Sequence, residues 1–380
     1  MSRSRVWFFS AVVLLMVSAP LRALTYEVGG CKTSKSYVNF TTISAAVIGV
    51  PAGSTIQICP GVYPEQVTIT QPLTLKGITF NNANRSVITI NPNGNLAPNV
   101  TSVIGESLYA QLLVQNINPI GPVNIIGITV DGNGGPQQGC TDASGFAGIF
   151  YASGTTGTVN EVTARNQIGG CGLGAGIWVE NGASPTQSIT VENSSVRNMD
   201  GPGIIAVSIQ NPATLVATIR GNFVNSANSL QGNTEAVGIW AEGESGTVTN
   251  NLITGSGIGI LSSGGADNLC CANTISGNTL ADIPGSPGTA IALSAPGDST
   301  AQLNKISNVS LAFDLASGRD TVKSNASMNT MYAVWFFCNA GNTVSGNTLS
   351  DSTFGFLQAP SLITGNAIYN IDTVQTGSCP

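Results

Sequence analysis

Histidine is absent from all 380 residues. That absence excludes Ser-His-Asp triads, Cys-His pairs and His-ligated metal sites, so any catalysis has to run on carboxylates, Arg, Lys or Tyr. Charge is scarce too, at 8% of the chain, while apolar content is an ordinary 42%. That combination belongs to folded chains rather than disordered ones. Long apolar runs are also missing. The one candidate, residues 6–17, is too short to cross a bilayer, so no membrane insertion is expected.

That apolar run follows Arg3 and Arg5 and precedes small residues ending at Ala23. The order is that of a secretory signal peptide, residues 1–23, with cleavage expected after Ala23. The mature chain, residues 24–380, is then expected to be secreted or periplasmic. It keeps 10 basic against 19 acidic residues, a net charge near −9. Nucleic-acid partners are excluded on that ground, because their binders need basic surfaces.

All eight cysteines lie beyond residue 23, an even number in an oxidising compartment, which favours disulfides. Cys31 and Cys59 flank the first mature segment and form one expected pair. Cys140 and Cys171 sit in Gly-rich insertions on successive repeats and form a second. Cys338 and Cys379 would tie down the C-terminus. Cys270 and Cys271 are adjacent, so they either bond to each other or reach elsewhere. No spacing resembles a zinc site, and no metal or cofactor is implied.

What the chain has in abundance is repetition. Ile149, Ile177, Ile204, Ile239, Ile260, Ile291, Phe313, Val334 and Phe356 recur in "GI"-type steps that settle near 21–22 residues. A second series runs through Asn222, Asn251, Asn278, Asn304, Asn325, Asn347 and Asn366, often inside "SGNTL" or "TGNAI". Short β-branched runs separated by Gly, Asn and Ser fill each unit, with no helical pattern between them. Three short strands and three turns account for one coil of a parallel β-helix. Strand alternation sends Ile177 and Val179 inward, and Trp178 and Glu180 outward. Stacked Asn side chains can hydrogen-bond along the solenoid.

The fold expected is therefore all-β: a single-stranded right-handed parallel β-helix of about ten coils, with an N-terminal capping helix; the right-handed sense rests on the crossover rule, not on the spacing. Residues 24–80 are the cap and first coil, 81–370 the repeat coils and 371–380 a C-terminal cap. In "FTTISAAVIGVPAG" the apolar residues Ile43, Ala46, Val47 and Val50 have helical spacing; Thr41 or Thr42 caps the start, and Pro51 stops the helix. Such a cap covers the open apolar end of a solenoid.

Residues 38–78, "VNFTTISAAVIGVPAGSTIQICPGVYPEQVTITQPLTLKGI", resemble the opening of pectinesterase-like members of the pectin-lyase-like superfamily: a helix, an apolar strand, then "PGVYPEQVTI" as first coil. The later repeats are similar to generic parallel β-helix repeats, and the resemblance implies the right-handed sense. It implies no activity here. The superfamily's Q-D-T, D-F-x-F-G, G-R-P-W and N-T-D strings are absent, and its histidine-containing motifs cannot occur.

Two outward sites are expected to carry function. Phe150, Trp178 and Trp240 would form an aromatic platform for sugar rings, with Trp178 and Trp240 two rungs, roughly 9–10 Å, apart. Glu180 and Glu242 would accept hydroxyl hydrogen bonds from the sugar. Alternatively the insertions at 132–147 and 166–175 fold over these aromatics and bury them. The second site stacks Arg165 on Arg197 with Asp200 close in sequence, where paired guanidinium groups could hold a uronate carboxylate. Local ion pairing of each Arg is the plainer reading. Asp131 reads as a turn-capping residue, and Asp320 as part of a solvated turn. The function expected is non-catalytic binding of extracellular or cell-wall polysaccharide through the aromatic face. The alternatives are a divergent, histidine-free polysaccharide lyase or esterase acting on uronate glycans, and a structural or adhesive surface module.

Overall fold

The computed structural model describes residues 25–31, 38–78, 86–89, 96–118, 120–133, 145–168, 174–182, 186–209, 214–225, 236–243, 245–264, 272–284, 288–294, 298–358 and 362–377. The expected signal peptide, Cys140, Cys171, Cys270, Cys271 and Cys379 lie outside them.

Short strands stack in parallel into a 14-stranded and a 21-stranded sheet, the larger of which covers two sides of the solenoid. We call the 14-stranded sheet sheet 1; it runs from Thr25–Val28 and Ser54–Ile58 to Leu362–Thr364. Sheet 2 holds Ile128–Asp131, Thr163–Arg165, Ser195–Arg197 and their successors, and sheet 3 holds Gly145–Tyr151, Gly174–Asn181, Val237–Glu242 and theirs. From Lys305–Leu315 onward a single long strand bends through both, pairing with Thr279–Ile283 in sheet 2 and Thr289–Leu293 in sheet 3. The chain is a parallel β-helix, as its repeat predicts, and it has the right-handed sense expected from the crossover rule and the resemblance.

Both repeat series are real columns. Ile149, Ile177, Ile204, Ile239, Ile260, Ile291, Phe313, Val334 and Phe356 pair rung on rung along sheet 3. All nine are buried in one continuous core, where each such side chain contributes about 1.5–3 kcal/mol of transfer free energy. The glycine of the "GI" step is required where rungs approach closely: a Cβ at Gly238 would lie 2.6 Å from the Gly259 carbonyl oxygen and 2.7 Å from Ile253 Cγ2.

The asparagine series forms an internal ladder. Asn278 shows the unit: its N–H and Nδ2 donate to Asn304 Oδ1 at 3.0 and 2.9 Å, and Nδ2 also donates to the Val248 carbonyl at 2.9 Å. The same pattern runs from Asn222 to Asn366, and Ser194 N–H starts it by donating to Asn222 Oδ1. Only an amide offers both the acceptor and the two donors that this position uses. A shorter ladder, Asn273–Ser299–Asp320–Asn342, follows sheet 3. Asp320 is thus no solvated turn residue but 1% exposed, with Ser317 Oγ donating to Oδ2 at 2.6 Å. Burial pushes its carboxyl up to about 7, against the pull of the Ser317 hydrogen bond.

The helix at Ile43–Gly49 caps the N-terminal end and buries Ile43, Ala46 and Val47; Thr42 Oγ1 accepts from Ala45 N–H. Glu65, from the first coil, accepts from the N–H groups of Ile43 and Ser44 at 2.8 and 2.9 Å, so it belongs to the cap. Tyr63 has a structural role as well, its hydroxyl donating to the Cys59 carbonyl at 2.7 Å. The expected Cys31–Cys59 disulfide is present, and Cys338 is disulfide-bonded. At the other end, residues 378–380 of the expected cap lie outside the described residues, and Ala367–Thr376 is a strand in register with Thr348–Leu357. Its residues Ile368 and Ile371 are only partly buried, because no further rung covers them among the described residues.

Candidate functional site

The outward face of sheet 3 has one column running Phe150, Trp178, Ile205, Trp240, Leu261, Ala292, Asp314 and Trp335. Trp178 and Trp240 are two rungs apart, as alternation requires. They do not share a surface. Phe150 is fully buried and Trp178 is 1% exposed, their rings 5.6 Å apart within a second, external core. Leu108, Leu113, Ile205 and Val207 complete it, with Val100 and Val103 packed over them.

The cover comes from a segment that composition does not mark. Val100–Thr101 pairs antiparallel with Ser107 and Leu108, making a hairpin that lies against the outward face. Glu180 holds it there by accepting the Val103 N–H at 3.1 Å on each carboxylate oxygen. Phe150, Trp178 and Glu180 therefore do not form the exposed platform expected of them; Glu180 is 3% exposed. Burial pushes Glu180 up to about 7, opposed by the Val103 hydrogen bond. Trp240 is half-buried, with Nε1 donating to Ser263 Oγ at 3.1 Å, and burial raises the Glu242 carboxyl.

Past Trp240 the face reopens. Asp314 lies one rung from Trp335, and around Trp335 the chain gathers Tyr332, Phe337 and Phe354. Trp335 and Phe337 stack at 4.1 Å with 10° between planes, Tyr332 and Phe354 stack at 5.1 Å and 14°, and Tyr332 sits 6.1 Å from Trp335. Phe337 is 42% exposed. It also has φ +48°, followed by Cys338 at +60°. Left-handed backbone at a non-glycine residue costs about 1–3 kcal/mol and persists only where surrounding structure imposes it. Here the turn is held by Phe336 N–H on the Leu357 carbonyl, Asn339 N–H on the Phe336 carbonyl, and the Cys338 disulfide. Trp335 Nε1 donates to Gln358 Oε1 at 3.0 Å, which fixes the indole plane. Asp314 Oδ1 is buried without a hydrogen-bond partner, and burial pushes the carboxyl up to about 6. A sequence signal for this cluster existed: "YAVWFF" packs four aromatics into six residues, of which only Phe336 turns into the core.

The arginine site is resolved differently. Arg165 and Arg197 are in register on sheet 2. Arg165 Nε donates to Asp131 Oδ2 at 2.7 Å, and Asn166 Nδ2 and Asn133 N–H donate to Asp131 Oδ1 at 2.8 and 3.0 Å. Asp131 is thus the turn-capping residue expected, and it neutralises Arg165. Arg197 is exposed and makes no ion pair among the described residues. Asp200 is 5% exposed, packed against the Gly174 backbone. The three residues form no joint charged site.

The fold these columns define is a right-handed parallel β-helix. A family model described as "Right handed beta helix region" matches residues 216–375. Comparison with curated protein sequences finds no match. Among solved structures, the chain is similar to PfbA, a surface adhesin of Streptococcus pneumoniae, at 15% identity and TM-score 0.57, covering 88% of both chains. It is similar to the A-module of the mannuronan C-5 epimerase of Azotobacter vinelandii at 15% identity and TM-score 0.54, covering 86% of this chain and 90% of that one. The catalytic unit of a GH87 α-1,3-glucanase from Streptomyces thermodiastaticus gives 14% identity and TM-score 0.53, covering 95% and 70%. One architecture thus carries adhesion, epimerisation and hydrolysis, so function has to be argued from this chain's own surface. No helix among the described residues is long and apolar enough to cross a membrane.

Proposed function

We propose that this is an exported, polysaccharide-binding β-helix that holds its ligand on the C-terminal half of the outward face of sheet 3. The observation that carries the reading is the Tyr332–Trp335–Phe337–Phe354 cluster. Flat aromatic surfaces, one of them kept in solvent on a strained backbone, suit stacking against sugar rings. Trp240 lies four rungs away on the same column, about 19 Å at the usual strand spacing, which marks out a platform for an extended glycan. Asp314 between them, when ionised, repels carboxylates, so neutral glycans are preferred over uronates. Binding is favoured over lyase chemistry because Arg165 is tied to Asp131. Similar folds in an epimerase and a glucanase named for polysaccharides support this ligand class.

The test is a glycan array on the whole chain, repeated with Trp335→Ala and Phe337→Ala. Retention of a neutral polysaccharide, weakened at least about tenfold in each variant, is the expected result; one stacked ring is worth roughly 1.4 kcal/mol or more on that scale. No glycan retained by the native protein would sink the reading.

A further inference from the structure

The covered half of the sheet 3 face holds a cavity of about 500 Å³, within the range of small-molecule sites. Its floor is a column of three residues, Gln115, Ala152 and Glu180, each following the paired positions Val114, Tyr151 and Val179. Its outer wall is the hairpin around Val103. Glu180 is the one charged residue among the described residues of the lining. It has no basic partner among the described residues; its two oxygens accept the Val103 N–H, and the Trp178 side chain is its second hydrogen-bonding neighbour. A carboxylate has about four lone-pair positions, and a buried one is stable when opposite charge and further donors fill them.

The remaining polar lining consists of hydroxyls and amides: Asn99, Thr101, Ser107, Gln115, Asn116 and Ser153. Ser153 Oγ accepts from Gly182 N–H at 2.8 Å, which leaves its own proton available. A neutral sugar would leave Glu180 without its counter-charge, and a uronate would be repelled. One carboxylate is too few for a metal ion. An ammonium group brings three donors and the missing charge, and ring hydroxyls match the rest of the lining.

We propose that this cavity is a second glycan site, selective for a positively charged amino-sugar unit, with Glu180 pairing with the ammonium. The proposal rests on the reading that the ligands are glycans, but not on the aromatic cluster. Burial holds Glu180 up to about 7, and an incoming cation would draw it back toward the ionised form.

Isothermal titration of the whole chain at pH 7 tests it, using a glucosamine tetramer, its fully N-acetylated counterpart and a glucose tetramer. The glucosamine tetramer is expected to bind at least about tenfold more tightly than the other two. Glu180→Gln keeps an acceptor for Val103 N–H, so the hairpin stays in place, and the preference is expected to vanish. Trp335→Ala is expected to leave it intact. Equal affinity for the amine and its acetylated form, or a preference that survives Glu180→Gln, would overturn the proposal. A preference lost in Trp335→Ala alone would move the amine to the aromatic cluster and also overturn it. Loss of neutral-glycan binding in Trp335→Ala, with no amine preference anywhere, would leave the earlier reading standing.

Discussion

Trp178 and Trp335 occupy the same outward column of sheet 3, and the molecule treats them in opposite ways. Trp178 is 1% exposed beneath a hairpin contributed from residues about 75 positions upstream. Trp335 lies half-buried against an exposed Phe337. Strand alternation decides that both point outward; it does not decide whether outward means solvent. An external apolar row is either covered or left available for a partner; in this solenoid the Trp178 half is covered, while around Trp335 the face carries an exposed Phe337.

The comparison can be broken most severely at Trp178. Replacing it with alanine empties a fully packed site and is expected to cost about 3–5 kcal/mol. Denaturant unfolding would show this, while neutral-glycan binding in the folded fraction stays unchanged. If Trp178→Ala weakened glycan binding without loss of stability, the covered half would have to be open in solution.

Trp335→Ala is the mirror case. The indole is only half-buried, so about 1–2 kcal/mol of stability is the expected loss, against the tenfold or larger loss of binding already described. A stability cost equal to that of Trp178→Ala would mean that the open cluster is another piece of core.

The smallest effect lies in the pH dependence of stability, which separates the two halves by window. Glu180 on the covered side is raised from 4.5 to about 7, and Asp314 on the open side from 3.8 to about 6, both by burial. A carboxyl with a raised folded-state value binds more protons in the native state than in the unfolded one. Its contribution is therefore fullest below the unfolded value and is lost as pH rises through the folded value. Thermal unfolding is expected at higher temperature at pH 5 than at pH 8. Asp314→Asn should remove the slope only up to about pH 6, whereas Glu180→Gln removes a part that extends to about 7. Unchanged slopes in both variants would show that neither carboxyl is desolvated.

Much of this was legible in the chain itself. The Asn222–Asn366 series could be read as a ladder because each coil presents the same amide at the same corner, and the same register then satisfies every donor. The inward column from Ile149 to Phe356 followed from alternation, and the capping helix from the spacing of Ile43, Ala46 and Val47. Asp320 was misread because "GRD" has turn composition, while its burial depends on the Asn342 rung beneath it.

"GIWVEN" and "GIWAEG" carry the sharpest form of the distinction. Local chemistry determined that their isoleucines face the core and their tryptophans face away, since a strand's period of two is set by covalent geometry. Whether Trp178 meets water was decided by a hairpin around Val103, about 75 residues upstream, which packs over it and donates to Glu180. The sequence by itself determined the solenoid, its ladders and its N-terminal cap, because these arise from near-neighbour repetition. Only the tertiary structure decided where the face is covered and where it is open, because long-range packing has no period to read.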